Sequence, residues 1–336
     1  MPVLHHGDLH LAVEPGETAL DTLLRGGVAV PNSCRAGACQ SCRLRACAGA
    51  PPPTSQVGLK ETLRLRGHFL ACLCRPEEDL TIAVGEDPPQ DATVMSVTEL
   101  GADVVRLRLR LASPLAYRAG QFVTLLRADG LARSYSLASI PNSVPASVPD
   151  AAEDERDILE LHVRVLPHGR MSRWIAHDLR PGERVQIRGP EGDCFYTASA
   201  PDQPIVLIGT GTGLAPLYGI ARDALRQGHR GPITLLHGAV TPAGLYLVDV
   251  LQDMSRAHDN FHYLRCALHG EPAEGLEIGG IEAVAARHFP KLAGHRVFIC
   301  GDPERVAALR KQSFLRGARM SEILADAFVT APPPAV

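Results

Sequence analysis

The chain of 336 residues carries 34 Lys plus Arg against 37 Asp plus Glu, a net charge of -3, with 45% hydrophobic and 21% charged residues. Such a length exceeds what one hydrophobic core supports comfortably, so two or three domains are expected; the charge balance argues against a nucleic-acid or membrane-surface binder, and the composition excludes a disordered chain. No apolar run reaches the ~20 residues that a bilayer requires, and MPVLHHGDLH has neither the basic nor the apolar region of a signal peptide, so a cytoplasmic location is expected.

Residues 1–84 open with a strand-like alternation, Leu9, Leu11 and Val13, followed by a predicted helix at 17–26 that ends at Gly26-Gly27. Six of the nine cysteines fall between 34 and 74. In a reducing compartment such clustering points to metal binding or redox chemistry rather than disulfides. Cys34, Cys39 and Cys42 form C-x4-C-x2-C in CRAGACQSC, and Cys72 follows in FLACLCRP. Four thiolates converging on two irons need a tightly bent loop whose amides face the sulfides, which Gly37 and the small Ala36 and Ala38 permit. Zinc would favour paired C-x2-C knuckles, and one pair is present. Cys74 competes with Cys72 as fourth ligand; the spacing favours Cys72, leaving Cys74 and Cys47 as small buried hydrophobes.

GEDPPQD (85–91) reads as a linker. Beyond it, VVRLRLRL (104–111) and ILELHVRV (158–165) alternate with period two, as half-buried antiparallel strands of a barrel or sandwich do. The stretch 141–157, with three prolines and five acids, reads as a solvated hairpin insertion. ARSYSLAS (132–139) holds Arg133-x-Tyr135-Ser136 ahead of GRMSRWIAHDL (169–179), where Gly169 and Ser172 start a helix whose free amides suit a pyrophosphate. Arg133 suits a bidentate phosphate contact, Tyr135 a planar ring and Ser136 a hydrogen bond near a flavin's reactive nitrogen. An Arg and Tyr on a barrel rim would leave the same string.

From 204 onward, wholly apolar runs IVLI (205–208), ITLL (233–236) and VFI (297–299) alternate with helix-length segments, the pattern of parallel strands covered on both faces. GTGTGLAP (209–216) follows the first run as a phosphate-cradling turn, departing from G-x-G-x-x-G at Ala215-Pro216. VFICGDPERV (297–306) puts Cys300, Gly301 and Pro303 at a strand's carboxyl end, where open α/β sheets bind ligands. A buried, inert Cys300 is the competing reading.

Together these motifs resemble the ferredoxin–NAD(P)H reductase superfamily, and in module order the iron–sulfur flavoprotein reductase components of bacterial multicomponent oxygenases, such as the benzoate dioxygenase and phenol hydroxylase reductases. The resemblance covers nearly the whole chain. It implies a β-grasp, plant-type [2Fe–2S] ferredoxin domain at 1–87, an antiparallel β-barrel FAD domain at 92–200 and an α/β, Rossmann-like parallel-sheet NAD(P)H domain at 201–330. Cys34, Cys39, Cys42 and Cys72 would bind the cluster. Arg133, Tyr135 and Ser136 would bind FAD, with Gly169, Arg170, Met171 and Ser172 at its pyrophosphate and His162, Val163 and Arg164 along its adenosine half. Gly211, Thr212 and Gly213 would approach the nicotinamide, Cys300 its reactive carbon, and Phe328 the flavin. Tyr135, Ser136 and Cys300 are the expected catalytic residues.

Nicotinamide releases electrons as a pair, a [2Fe–2S] cluster accepts one, and a flavin between them converts the one into the other. A 2′-phosphate would call for Arg or Lys after the second strand of the last domain; HGAVTPAG (237–244) has neither, so NADH is expected over NADPH. The fourteen histidines, including His5-His6 and HDNFH (258–262), match no metal spacing and read as surface or packing residues. The expected function is an NADH-dependent reductase serving a separate terminal oxygenase or its ferredoxin. A redox-sensing regulatory subunit and a reductase for a deoxysugar dehydratase are the alternatives. No coiled-coil pattern specifies an oligomer.

Overall fold

The computed structural model of the protein describes residues 2–28, 30, 32, 35–37, 42–59, 61–83, 89–129, 131–141 and 158–328. It divides into two compact units, Met1–Pro88 and Pro89–Val336. Most of the 141–157 insertion lies outside the described residues, as does the core of the 85–91 linker. Gln90 and Asp91, expected in that linker, instead begin a strand, because they pair with Ile187 and Gln186 of the neighbouring strand.

The first unit is a five-stranded mixed sheet: β1 (Val3–His6), β2 (Leu9–Ala12), β3 (Arg43–Ala48), β4 (His68–Leu70) and β5 (Leu80–Ala83), in the order β2-β1-β5-β3-β4. Parallel pairing of β1 with β5 makes it a β-grasp. Helix α1 (Ala19–Arg25) starts at Thr18, whose hydroxyl accepts from the Asp21 amide while Asp21 answers at the Thr18 amide. That reciprocal cap satisfies two otherwise unpaired donors. Its buried face, Ala19, Leu20 and Leu23, packs with Leu4, Phe69 and Leu80. The short helix α2 (Glu61–Leu65) precedes β4.

The second unit begins with a six-stranded antiparallel sheet: β6 (Gln90–Gly101), β7 (Val104–Leu111), β8 (Phe122–Leu126), β9 (Ala132–Ser136), β10 (Ile158–Arg164) and β11 (Arg184–Glu191). Its order is β10-β7-β6-β11-β8-β9, and a bridge between Leu137 and Leu161 brings the two edges together into a barrel. The alternation in β7 sends Val105, Leu107, Leu109 and Leu111 into the barrel core. Helix α3 (Arg170–Arg173) continues as a π-helical turn, Trp174–Asp178, whose Ile175 closes that core.

A parallel sheet follows: β12 (Ile205–Thr210), β13 (Ile233–Ala239), β14 (Phe261–Ala267), β15 (Leu276–Ile278), β16 (Arg296–Gly301) and β17 (Ile323–Ala327), in the order β15-β14-β13-β12-β16-β17. Helices α4 (Leu214–Arg226), α5 (Val248–Ala257), α6 (Ile281–His288) and α7 (Pro303–Leu315) connect the strands. The strand order reverses between β12 and β16, so the crevice at their carboxyl ends is the ligand position that this topology creates. Barrel and parallel sheet share a core: Val104, Cys194 and Tyr196 pack with Leu207, Leu217 and Phe298.

Candidate functional site

Cys42 immediately precedes β3 and Cys72 is the second residue after β4, and these strands pair antiparallel with Arg43 opposite Leu70. The Ala71 amide donates to the Cys42 carbonyl at 3.1 Å, so both buried thiols stand at the same end of the strand pair. The turn Arg35–Gly37 lies against the Cys72 loop: a Cβ on Gly37 would come within 2.6 Å of a Leu73 methyl, and its φ of +78° is one that L side chains rarely adopt. Cys34 and Cys39 fall outside the described residues. The described half of the cysteine set, Cys42 and Cys72, is thus buried at one end of the strand pair, beside the turn that the motif's first three cysteines bracket, an arrangement that fits the expected cluster ligands.

Cys74, the competing fourth ligand, lies fully buried in the apolar core of this unit, where burial pushes its thiol up to about 12, partly offset by a hydrogen bond with Ser55. Cys47, expected to be buried, is exposed. The pairing of β3 with β5 shifts register between Ala46 and Ala48, so Cys47 is the extra residue of a bulge and leaves the sheet's packed face.

In the barrel, Arg133 and Tyr135 share one side of β9 by strand alternation. The exposed Arg133 guanidinium bonds only its neighbour's carbonyl, Ala132, among the described residues, and so has donors to spare. Tyr135 packs at the rim of the barrel core; burial raises its hydroxyl pKa, keeping the ring neutral. Arg170 reaches Asp129 in the β8–β9 turn at 3.3 Å, and Arg127 of that turn lies over Trp174 at 5.5 Å. These contacts set the start of α3 beside the hairpin that carries Arg133. Gly169 is the N-cap of α3, and no side chain caps it. Ser172 is buried, and its hydroxyl is spent on the turn, accepting from the Leu166 amide at 3.1 Å. Only its backbone is left for a phosphate. Met171 anchors the helix in the barrel core.

The residues expected along the adenosine half separate. Val163 points into the barrel core, and Arg164 is exposed and paired with Asp103 at 2.9 Å. The His162 side chain is fully buried between Glu160 at 2.8 Å and the Tyr246 hydroxyl at 3.1 Å. Its ring is therefore not free to contact a ligand, and strand alternation turns it toward the parallel-sheet half, leaving only its backbone for the adenosine half.

At the crevice, Gly211, Thr212 and Gly213 form a single 3-10 turn between β12 and α4. Gly213 is pressed against the end of β16, where an added Cβ would stand 2.1 Å from the Cys300 carbonyl oxygen. Cys300 is 2% exposed beneath this turn, its Sγ 3.6 Å from Cys194 Sγ. Burial raises its pKa well above the ordinary thiol range, and the neighbouring Cys194 adds to the effect. It is a neutral thiol, suited to packing or a weak hydrogen bond and unsuited to nucleophilic attack. Pro303 is the first residue of α7, and Asp302 caps that helix by accepting from the Glu304 and Arg305 amides at 3.1 Å.

Asp326 was not legible in sequence. It faces Cys300 in register across β16 and β17, and the Ser136 hydroxyl approaches it at 3.5 Å. Burial raises its carboxyl pKa, partly offset by Ser136. The Phe328 amide donates to the Gly301 carbonyl at 2.8 Å, holding its ring near the same crevice. Barrel strand β9 and parallel strands β16 and β17 therefore bring Ser136, Cys300, Asp326 and Phe328 together.

Three family models match in this order: a 2Fe-2S iron-sulfur cluster binding domain over residues 5–77, an oxidoreductase FAD-binding domain over 91–196 and an oxidoreductase NAD-binding domain over 207–311. The reductase subunit of an aromatic O-demethylase from Amycolatopsis is 36% identical over 90% of this chain and 91% of its own. The chain belongs to the ferredoxin–NAD(P)H reductase family. A reductase component of the naphthalene 1,2-dioxygenase/salicylate 5-hydroxylase systems of Ralstonia is 31% identical over 96% of each chain. The crystal structure of the Amycolatopsis cytochrome P450 reductase GcoB is similar with a TM-score of 0.63 at 34% identity, covering 98% of this chain and 99% of that one. Among the described residues, no helix is long and apolar enough to cross a membrane.

Proposed function

We propose that this member of the family is a cytoplasmic NADH-dependent reductase that passes electrons from NADH through FAD to a [2Fe–2S] cluster, and from there to a separate terminal oxygenase component or its ferredoxin. The observation that carries the reading is the convergence of Ser136, Cys300, Asp326 and Phe328 where the barrel meets the strand-order reversal, in a chain whose turn Arg35–Gly37 also lies against Leu73, next to Cys72. Flavin supplies the conversion of a hydride's electron pair into single electrons. The protein's share is positioning.

Arg133 and the first amides of α3 would hold the pyrophosphate, and Tyr135 would lie against the flavin. The turn Gly211–Gly213 and the segment Cys300–Pro303 would seat the nicotinamide. Cys34, Cys39, Cys42 and Cys72 would hold the irons. Two exposed apolar side chains, Val240 at the carboxyl end of β13 and Leu268 at that of β14, offer an adenine face. No Lys or Arg lies between 237 and 244 to meet a 2′-phosphate, which supports NADH.

NADH-driven reduction of cytochrome c and ferricyanide by the purified, iron-replete, FAD-loaded protein tests the reading. Cys39→Ser is expected to abolish cytochrome c reduction and keep reduction of the flavin by NADH. Equal loss of both would show that the cluster does not lie downstream of the flavin, and no activity with either acceptor would refute the enzyme assignment.

A further inference from the structure

The two halves of the second unit meet across an apolar core in which Leu100, Val104 and Tyr196 pack with Leu247, Leu251 and Leu217. A buried polar chain crosses it. On the barrel side, Glu160 and His162 lie two apart on β10, with Glu160 Oε1 2.8 Å from His162 Nε2. On the other side, the Tyr246 hydroxyl is 3.1 Å from His162 Nδ1. With the carboxylate ionised, Nε2 donates to Glu160 and Nδ1 accepts from the tyrosine, so both ring nitrogens are used. Tyr246 also stands edge-on to His237 of β13, with ring centroids 5.6 Å apart, and His237 Nδ1 is 3.2 Å from the Tyr263 hydroxyl.

The ends of this chain lie on strands that pair with those carrying the proposed chemistry. The Glu160 carbonyl accepts from the Ala138 amide at 2.9 Å, and Leu161 bridges Leu137, so β10 is hydrogen-bonded to the segment directly after Tyr135 and Ser136. His237 lies opposite Gly209 in the register of β13 with β12, two residues before the turn Gly211–Gly213. Leu247, immediately after Tyr246, is held at φ +55°, a left-handed conformation that costs a non-glycine residue energy and persists only when its surroundings impose it.

We infer that Tyr246 and His162 are positioning residues, forming a polar latch that fixes the nucleotide turn relative to the flavin-facing strand. This rests on the proposed reductase reading. A purely apolar interface of the same area would leave the two sheets free to slide, whereas a buried hydrogen bond has one satisfied geometry and a penalty for losing it. Neither residue touches the reacting atoms. Their effect falls on how closely the nicotinamide turn approaches the flavin face.

The test uses the FAD-loaded, cluster-containing full chain and its Tyr246→Phe variant, which removes one hydroxyl and leaves His162 Nδ1 without its donor. FAD content is expected to be unchanged. Hydride transfer from NADH to flavin in single-turnover mixing is expected to slow about tenfold with KM within about threefold, and the long-wavelength absorbance of stacked nicotinamide and flavin to weaken. Hydrogen exchange should quicken in both segments 158–164 and 245–251. A His162→Leu/Tyr246→Phe double variant should transfer hydride no more slowly than His162→Leu alone. Wild-type transfer rate, absorbance and exchange in Tyr246→Phe would overturn the latch, as would multiplicative losses in the double variant or slowing that merely tracks lost FAD. If the unaltered protein fails to reduce its flavin with NADH, the reductase reading falls instead.

Discussion

Replacing Gly213 by alanine tests the crevice with one added carbon. Gly213 sits at φ -59°, which alanine adopts freely, so the backbone conformation itself does not resist the change. The obstacle is contact: the new Cβ would stand 2.1 Å from the Cys300 carbonyl oxygen, 2.5 Å from its carbon and 2.8 Å from the Gly301 nitrogen. Ordinary contact begins near 3.4 Å, so turn and strand must part by about 1.3 Å. Strand β16 is held on both sides by β12 and β17, leaving the turn to move. A displacement of about 1 Å at a reacting group costs on the order of 100-fold in rate. Gly213→Ala is therefore expected to lose about 100-fold in kcat/KM for NADH with ferricyanide as acceptor, while flavin absorbance shows full FAD occupancy. Gly228→Ala, in the turn after α4, is the control. Gly228 has φ +76° and no atom within 4 Å of an added Cβ, so alanine there costs about 1 kcal/mol of conformational strain without moving Cys300. Gly213→Ala activity within threefold of the unaltered protein would refute this placement of the turn.

Further outcomes follow from the same geometry. Cys72→Ser should remove the paramagnetic signal of the reduced cluster, whereas Cys74→Ser should keep it; the reverse would reassign the fourth ligand. Val240→Arg should raise kcat/KM for NADPH more than about tenfold by pairing with a 2′-phosphate; no gain would place the adenosine elsewhere. Burial lowers the His237 pKa from 6.5 to about 3, so the unfolded chain binds the extra proton first. Its contribution to stability is complete above pH 6.5 and drains away as the pH falls toward 3. The melting temperature of His237→Gln relative to the unaltered protein should accordingly rise as the pH drops from 7 to 4.5, and a constant difference would show that His237 is not buried neutral.

Much of this architecture is local and was legible as such. Period-two alternation predicted Val104–Leu111 to the residue, and the apolar runs at 205, 233 and 297 each begin at or within one residue of a parallel strand. The four-cysteine spacing and the glycine turn could be read because a chemical need is written into adjacent positions. What escaped depends on partners far away in sequence. Asp326 matters because β17 pairs with β16 and Ser136 arrives from a strand 190 residues earlier. His162 looked like a cofactor contact because its strand carries the flavin motif's neighbours, yet Tyr246, 84 residues on, claims its side chain. Cys47 is exposed rather than buried because a one-residue bulge against β5, invisible in local sequence, reverses the face of a strand position.

Electron flow is expected to keep a fixed order, from nicotinamide to flavin to iron. Anaerobic rapid mixing of the full chain with one equivalent of NADH, read by flavin absorbance and by freeze-quenched paramagnetic resonance, tests it most directly. Flavin bleaching should come first and the reduced-cluster signal second, with FAD-depleted protein giving no cluster signal at all. A cluster signal that precedes bleaching, or that forms equally fast without FAD, would contradict it.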